Sequence, residues 1–360
     1  MMAERVIPHE RAGFADLACR LRGARRTLLA SLTICLGLMS ILALTIGPVS
    51  IPFERVLAAV IGWNKADQTE IIVLSIRLPR VVLALAAGAV LGLCGAALQG
   101  LFRNPLADPG LIGVATGGAF MVALSIVVMS AVAPSLLAEL GPYALPVFAS
   151  LGSFAAIAAV YALGRRNGAL SSADMLLAGI AINAMAASGI GYLTFLSTDE
   201  QLRTLTFWML GSLSQSAWEQ ILPAAALATA CSLALMFNAH ALNACLLGER
   251  EARYLGVDVD RLKQRIIILS GLGVGAAVAV TGVIGFIGLV APHIVRLMAG
   301  ADHRIVLPGS ALVGALILLI ADSIARIAVP PAELPIGILT SAIGAPFFLW
   351  LLKTRRSAIQ

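Results

Sequence analysis

Long apolar runs, each closed by a short polar or proline-bearing turn, repeat along this chain from about residue 27 to residue 352. The stretch 77–118 shows the pattern most fully. Arg77 and Arg80 bracket Pro79, and an apolar run from Val81 to Leu101 follows, interrupted by Gln99. A polar turn then carries Arg103, Asn104, Pro105, Asp108 and Pro109. About twenty apolar residues, rising about 1.5 Å each, cross a hydrocarbon core. The arginine pair and the polar turn are therefore expected on opposite faces of a membrane. The same pattern predicts ten spans, near 27–47, 79–101, 111–131, 143–164, 172–196, 217–238, 265–283, 284–300, 305–328 and 335–352, the seventh and eighth being one apolar run cut between Gly282 and Gly288. The expected fold is an all-α membrane protein. It comprises one ten-helix domain over 27–354, a basic tail at 1–26 and a short tail at 355–360.

Two connections stand out. Residues 48–76 contain "PFERVLAAVIGW", whose apolar positions recur at helical spacing beside a Trp, the pattern of a short helix lying in the membrane interface. Residues 239–264 form the most charged connection. There "GEREARYLGVDVDRLKQR" alternates charge with Ala252, Leu255 and Val257, which predicts a short helix whose small apolar face docks on another protein. The bland alternative is a solvated linker.

Composition supports the membrane reading. Hydrophobic residues make up 59%, charged residues 12%, and the mean hydropathy is +0.95. Soluble domains carry about 25% charged residues. The net charge of +6 does not indicate nucleic-acid binding, because the charges fall in short loops where they set orientation. With the N-terminus inside, Arg55, Lys65, Arg77, Arg80, Arg203 and Arg326 lie outside and the rest of the 25 basic residues inside. That excess predicts both termini in the cytoplasm.

Candidate chemistry is sparse. None of Lys65, Lys263 and Lys353 follows a glycine, so no Walker A motif is present. The five cysteines form no CxxC pair and read as small packing residues. His9, His240, His293 and His303 lack metal-ligand spacing. Asp322 and Arg326, spaced i, i+4, suggest a local ion pair. An ion-coupled carrier would need more carboxylates within the spans, and no serine, histidine and aspartate or HExxH set suggests an intramembrane enzyme. GxxxG spacing at Gly88/Gly92, Gly113/Gly117 and Gly271/Gly275 predicts close helix contacts in lipid. What remains is a passive pathway powered by a partner.

Seven motifs together carry a resemblance over residues 28–352: "RLPR" at 77–80, "QGLFRNPLADPGLIGV" at 99–114, "LLAGIAIN" at 176–183, "GEREARYLGV" at 248–257, "GVIGFIGLVAPHIVR" at 282–296, "ADSIAR" at 321–326 and "AELPIG" at 332–337. The chain resembles the iron-siderophore, haem and cobalamin permeases of type II ABC importers. The resemblance implies a homodimer of ten-helix subunits in a bacterial inner membrane. It also implies two cytoplasmic ATPase subunits that hold ATP and magnesium, and a periplasmic binding protein. Arg77, Arg80 and Arg326 would be exposed sockets for acidic residues of that binding protein. Asn104, Leu106, Ser172 and Ala173 would form the cytoplasmic gate, Ala173 standing where the family often carries a hydroxyl. Gly248, Glu251, Ala252, Leu255, Gly256 and Val257 would meet the ATPase, and the fifth and tenth spans would line the pathway. The segment 196–218 looks most like haem permeases, so haem is the expected cargo and no cofactor is expected to reside on the chain. Ferric siderophore or cobalamin is the alternative within the family, and an ion-coupled secondary transporter the alternative outside it.

Overall fold

A computed structural model describes residues 8–61, 68–166, 169–214, 217–330 and 332–357. Arg5 of the basic tail, Trp63, Lys65 and residues 358–360 lie outside the described residues. Apart from a two-residue antiparallel ribbon pairing Arg165–Arg166 with Ala169–Leu170, the regular structure is helical. Among the described residues, eight helices are long and apolar enough to cross a membrane: Arg25–Thr45, Gln68–Phe102, Val114–Val132, Pro134–Leu163, Ser172–Leu196, Trp218–Met236, Val259–Thr281 and His303–Ala328. Two shorter apolar helices, Ile287–Ala299 and Ile336–Leu351, complete the ten passes expected from the sequence. In chain order, Ile287–Ala299 is the eighth span, His303–Ala328 the ninth and Ile336–Leu351 the tenth.

Several boundaries differ from expectation. The first span continues a helix that already runs from Pro8, so the described part of the tail is not a separate coil. The second begins at Gln68, and its turn over Ile72–Arg77 is π-helical. Pro79 follows after Leu78. A proline has no N–H to give and crowds the carbonyl four residues back, and a widened turn accommodates both. The seventh span begins at Val259, six residues ahead of the predicted 265, because Asp258 caps it by accepting from the Arg261 N–H at 3.0 Å. The helix Asp199–Met209 was not anticipated. Its start is a capping box of Thr198 and Gln201, a signal the sequence does contain.

The second span is the core of the bundle, almost wholly buried, and its most extensive neighbour is the ninth. The expected Gly88/Gly92 spacing makes this contact. A β-carbon at Gly92 would strike the Ser310 carbonyl, and one at Gly88 would lie 2.5 Å from the Gly314 carbonyl. The eighth span starts against the same helix, with Gly288 at Gly95 and the Gln99 amide donating to the Gly288 carbonyl at 3.1 Å. Gly95→Leu is expected to force these backbones apart and to cost about 1–3 kcal/mol or more. A thermal melt of the purified variant indistinguishable from the parent would rule out this close approach. Gly113 departs from its predicted role: with φ +83° it ends a turn and is not half of a helix-packing pair.

The cut between the seventh and eighth spans lies where the glycines suggested. Gly282 caps the seventh, and residues 282–286 run without helix to Phe286, a left-handed residue with φ 68° that opens the eighth. Backbone hydrogen bonds tie this break to the segments at 210–212 and 336–337, and in a non-aqueous setting such partners come from within the protein. Ser212 N–H donates to the Thr281 carbonyl at 2.8 Å, and Ile336 and Gly337 N–H donate to the carbonyls of Gly211 and Leu210 at 3.0 and 2.9 Å.

Candidate functional site

Polar side chains gather at the two ends of the bundle. At one end the arginines expected to be exposed sockets are instead buried. Arg77, at the π-helical turn, donates to the carbonyls of Leu44 and Thr45 at 2.6 and 2.9 Å and also to that of Val49. Arg326 donates to the carbonyls of Ala43 and Ile46 at 3.0 and 3.2 Å. Both guanidiniums thus satisfy the orphan carbonyls where the first span ends. Arg80 donates to Asp322 at 2.9 Å and to Glu333 at 2.8 Å. Asp322 lies 2.7 Å from Arg326, the expected i, i+4 pair, but the carboxylate is fully buried and shared between two arginines. The weak surface ion pairs implied by exposed sockets are therefore replaced by a desolvated cluster. Beside it, Phe207, Trp208, Ser212, Thr281, Glu333 and Pro335 border a cavity of about 200 Å³.

At the other end, Arg103 closes the second span in a left-handed conformation and the "NPLADPG" turn begins. Asn104 accepts from the Leu106 N–H at 3.0 Å and Asp108 from the Gly110 N–H at 2.7 Å, two local side-chain bonds that explain why Asn and Asp stand there. Leu106 is exposed. Burial pushes the Asp108 carboxyl above its ordinary range, and the Gly110 N–H partly offsets this. The fifth span holds this turn through Asn183, whose amide donates to the Gly110 carbonyl at 2.9 Å and whose oxygen accepts from Thr116. Gly179, one helical turn earlier, lets the Leu111 carbonyl approach. The turn and the start of the third span thus meet the fifth span at one hydrogen-bonded joint. Asn183 was part of a quoted motif, but nothing in its spacing assigned it this task.

Ser172 and Ala173 open the fifth span, capped by Ser171. Ala173 is exposed, whereas Ser172 is half-buried and donates to Glu249 at 3.0 Å. The charged connection contains two helices, Ala239–Cys245 and Glu249–Tyr254. Leu255 is 64% and Tyr254 83% exposed, while Glu251 and Gly256 are also exposed and Val257 half-buried. Ala252, expected on the docking face, is instead wholly buried. Ala252 packs against the bundle beside Glu249, while Leu255, one residue beyond the end of this helix, stays exposed. Gly248 is likewise buried, with φ +136°.

Three groups here were missed by the sequence reading. Lys263, read as part of a polar loop, is 2% exposed and donates to Glu249 and to the Leu170 carbonyl, each at 2.8 Å. Burial raises the Glu249 carboxyl, but the bond and charge of Lys263 and the Ser172 hydroxyl outweigh it and hold Glu249 below its usual range. Asp302 receives Arg25 at 2.9 Å, the Asn243 amide at 2.8 Å and the Arg304 N–H at 3.0 Å. It too lies below its usual range, because these bonds outweigh partial burial. Asn243 in turn accepts from the His303 N–H at 2.8 Å, tying the first and ninth spans to the helix Ala239–Cys245.

The fifth span leaves Leu177, Ile180, Met185, Tyr192 and Phe195 exposed, and the tenth leaves Ile338, Ile343, Leu349 and Trp350 exposed. Ten apolar helices, a helix break lined by protein, and uncovered apolar faces on these and other spans define a polytopic membrane protein. The chain belongs to the FecCD transport family, whose signature matches residues 34–354. It is 46% identical over 92% of its length to the hemin transport system permease protein of Yersinia pestis, covering 96% of that protein. It is 39% identical to the cobalamin import system permease protein of Halobacterium salinarum, over 83% of this chain and 78% of the other. Its fold matches a solved structure of a metal-chelate type ABC transporter in an inward-facing conformation. That match has a TM-score of 0.79 and 33% identity, and covers 91% of this chain and 99% of that one.

Proposed function

We propose that this chain is the membrane-spanning subunit of an ATP-driven importer that carries haem from a periplasmic binding protein to the cytoplasm. The observation that carries the choice of cargo is the 46% identity to a hemin permease across nearly the whole of both chains. The more distant cobalamin permease keeps that cargo as the second reading. Two copies would meet along the exposed apolar faces of the fifth and tenth spans, offering a flat, greasy molecule an apolar passage. The end that holds Asn104, Leu106, Ser172 and Ala173 faces the cytoplasm, where two ATPase subunits supply the energy through the exposed residues around Leu255. Both termini lie on that side of a bacterial inner membrane, and ATP and magnesium bind the partners.

The Arg77, Arg80 and Arg326 end faces the periplasm and receives the binding protein. Because these guanidiniums are engaged internally, acidic groups of the binding protein would compete with Asp322, Glu333 and the carbonyls of residues 43–49. Docking would thereby loosen the first span from the second and ninth.

Reconstitution into liposomes tests the reading. Haem uptake, followed by its Soret absorption, should require the ATPase partner, ATP and a haem-loaded binding protein. Uptake driven by a pH or sodium gradient without the partner would identify a secondary carrier instead, and uptake of cobalamin but not haem would change the cargo.

A further inference from the structure

The short helix Glu249–Tyr254 has two sides with different work. Tyr254 and Leu255 face out, where an ATPase subunit could reach them, while Ala252 and Glu249 face the bundle. Glu249 spends both carboxylate oxygens on the bundle. Oε1 accepts from the Ser172 hydroxyl at 3.0 Å, at the first turn of the fifth span. Oε2 accepts from the Lys263 ammonium at 2.8 Å, and the same ammonium donates to the Leu170 carbonyl at 2.8 Å. Asp260 completes the frame, accepting from the Leu170 N–H at 3.2 Å and from Arg253 at 3.2 Å. Residues 170–172 are thus held from three directions by the connection that carries the exposed dock face and by the first turn of the seventh span.

We propose that Glu249, gripped by Lys263, is the positioning residue that transmits movement of the ATPase dock to the cytoplasmic gate at Ser172. The inference rests on the importer reading and adds a route for its coupling. One feature favours this role over a merely local brace. The Lys263 ammonium is desolvated, so it cannot leave its two acceptors for water without a large penalty. A push on the dock helix will therefore carry the first turn of the fifth span with it, through Ser172 and Leu170, before it parts Lys263 from Glu249.

The test uses the complete importer in liposomes, with haem delivered by its binding protein, and measures haem taken up per ATP hydrolysed. Glu249→Gln keeps the shape and loses the charge; Glu249→Ala loses both. Uptake per ATP should fall in the order parent, Gln, Ala, by between about two- and thirty-fold. Ser172→Ala should fall similarly, and the double variant Ser172→Ala/Glu249→Ala should be no worse than the worse single one, because both changes cut the same link. A brace that only stabilises the fold would lower the amount of active complex and leave uptake per ATP unchanged, which overturns the proposal. Additive losses in the double variant overturn it as well, and so does detachment of the ATPase by Glu249→Ala, which would place the residue in the dock face itself. If the parent complex takes up haem without ATP or its partner, the importer reading fails, and that result is separate from any of these.

Discussion

Asp322→Asn is expected to destabilise the folded protein more than any other single substitution at the arginine end. The carboxylate is fully buried, 2.9 Å from Arg80 and 2.7 Å from Arg326. The amide keeps its size and removes its charge, leaving two desolvated guanidiniums facing each other. Breaking a buried ion pair by removing one partner costs about 3–5 kcal/mol, because the remaining charge cannot be rehydrated. Arg80 keeps Glu333 and Arg326 keeps the carbonyls of Ala43 and Ile46, so the lower half of that range is expected. Thermal melting of the purified variant should show a fall of several degrees. The double variant Asp322→Asn/Arg326→Gln should recover part of it, since it removes a charge along with its counter-charge. A melt within a degree of the parent for Asp322→Asn would mean that the cluster is hydrated and that the arginines are free to meet another protein.

Leu255→Asp is expected to release the ATPase subunits while leaving the fold intact. The side chain is 64% exposed and follows the helix Glu249–Tyr254, and Gly256, with φ +86°, turns the chain away behind it. Its exposure means that an aspartate there costs the isolated permease little. In a complex that covers this position the same carboxylate would lose its water without a counter-charge, a penalty of several kcal/mol. A loss of about 2–4 kcal/mol, as at a central interface residue, weakens binding by about 30- to 1000-fold. The partner should then no longer co-purify. Retained co-purification would make the connection a linker and remove the dock assignment. Ala252→Asp, by contrast, should damage the permease itself, since Ala252 is wholly buried.

How much of this could be read from the chain alone differs between its parts. The number of passes, the helical class, the cut near Gly282 and the close approach at Gly88 and Gly92 were legible, because length, apolarity and small-residue spacing are local properties that lipid leaves few ways to satisfy. The capping box at Thr198 and Gln201 is equally local, and it marks the start of the helix Asp199–Met209. The placement of charge was not. Arg77 and Arg326 occur near span ends, where sequence logic expects water. The structure folds the end of the first span over them, and the carbonyls of residues 43–49 accept their hydrogen bonds.

Lys263 shows the same limit from the other side. In a run such as "DRLKQR" a lysine reads as solvated, and only contact with Leu170 and Glu249, 93 and 14 residues away, makes burial possible. The sequence by itself determined the membrane-spanning architecture and membership of a transport family, because both follow from patterns within single segments. The tertiary structure decided which polar groups are buried and which distant partners they take. Burial of a charge depends on partners brought from distant segments, and no local pattern encodes where those segments will meet.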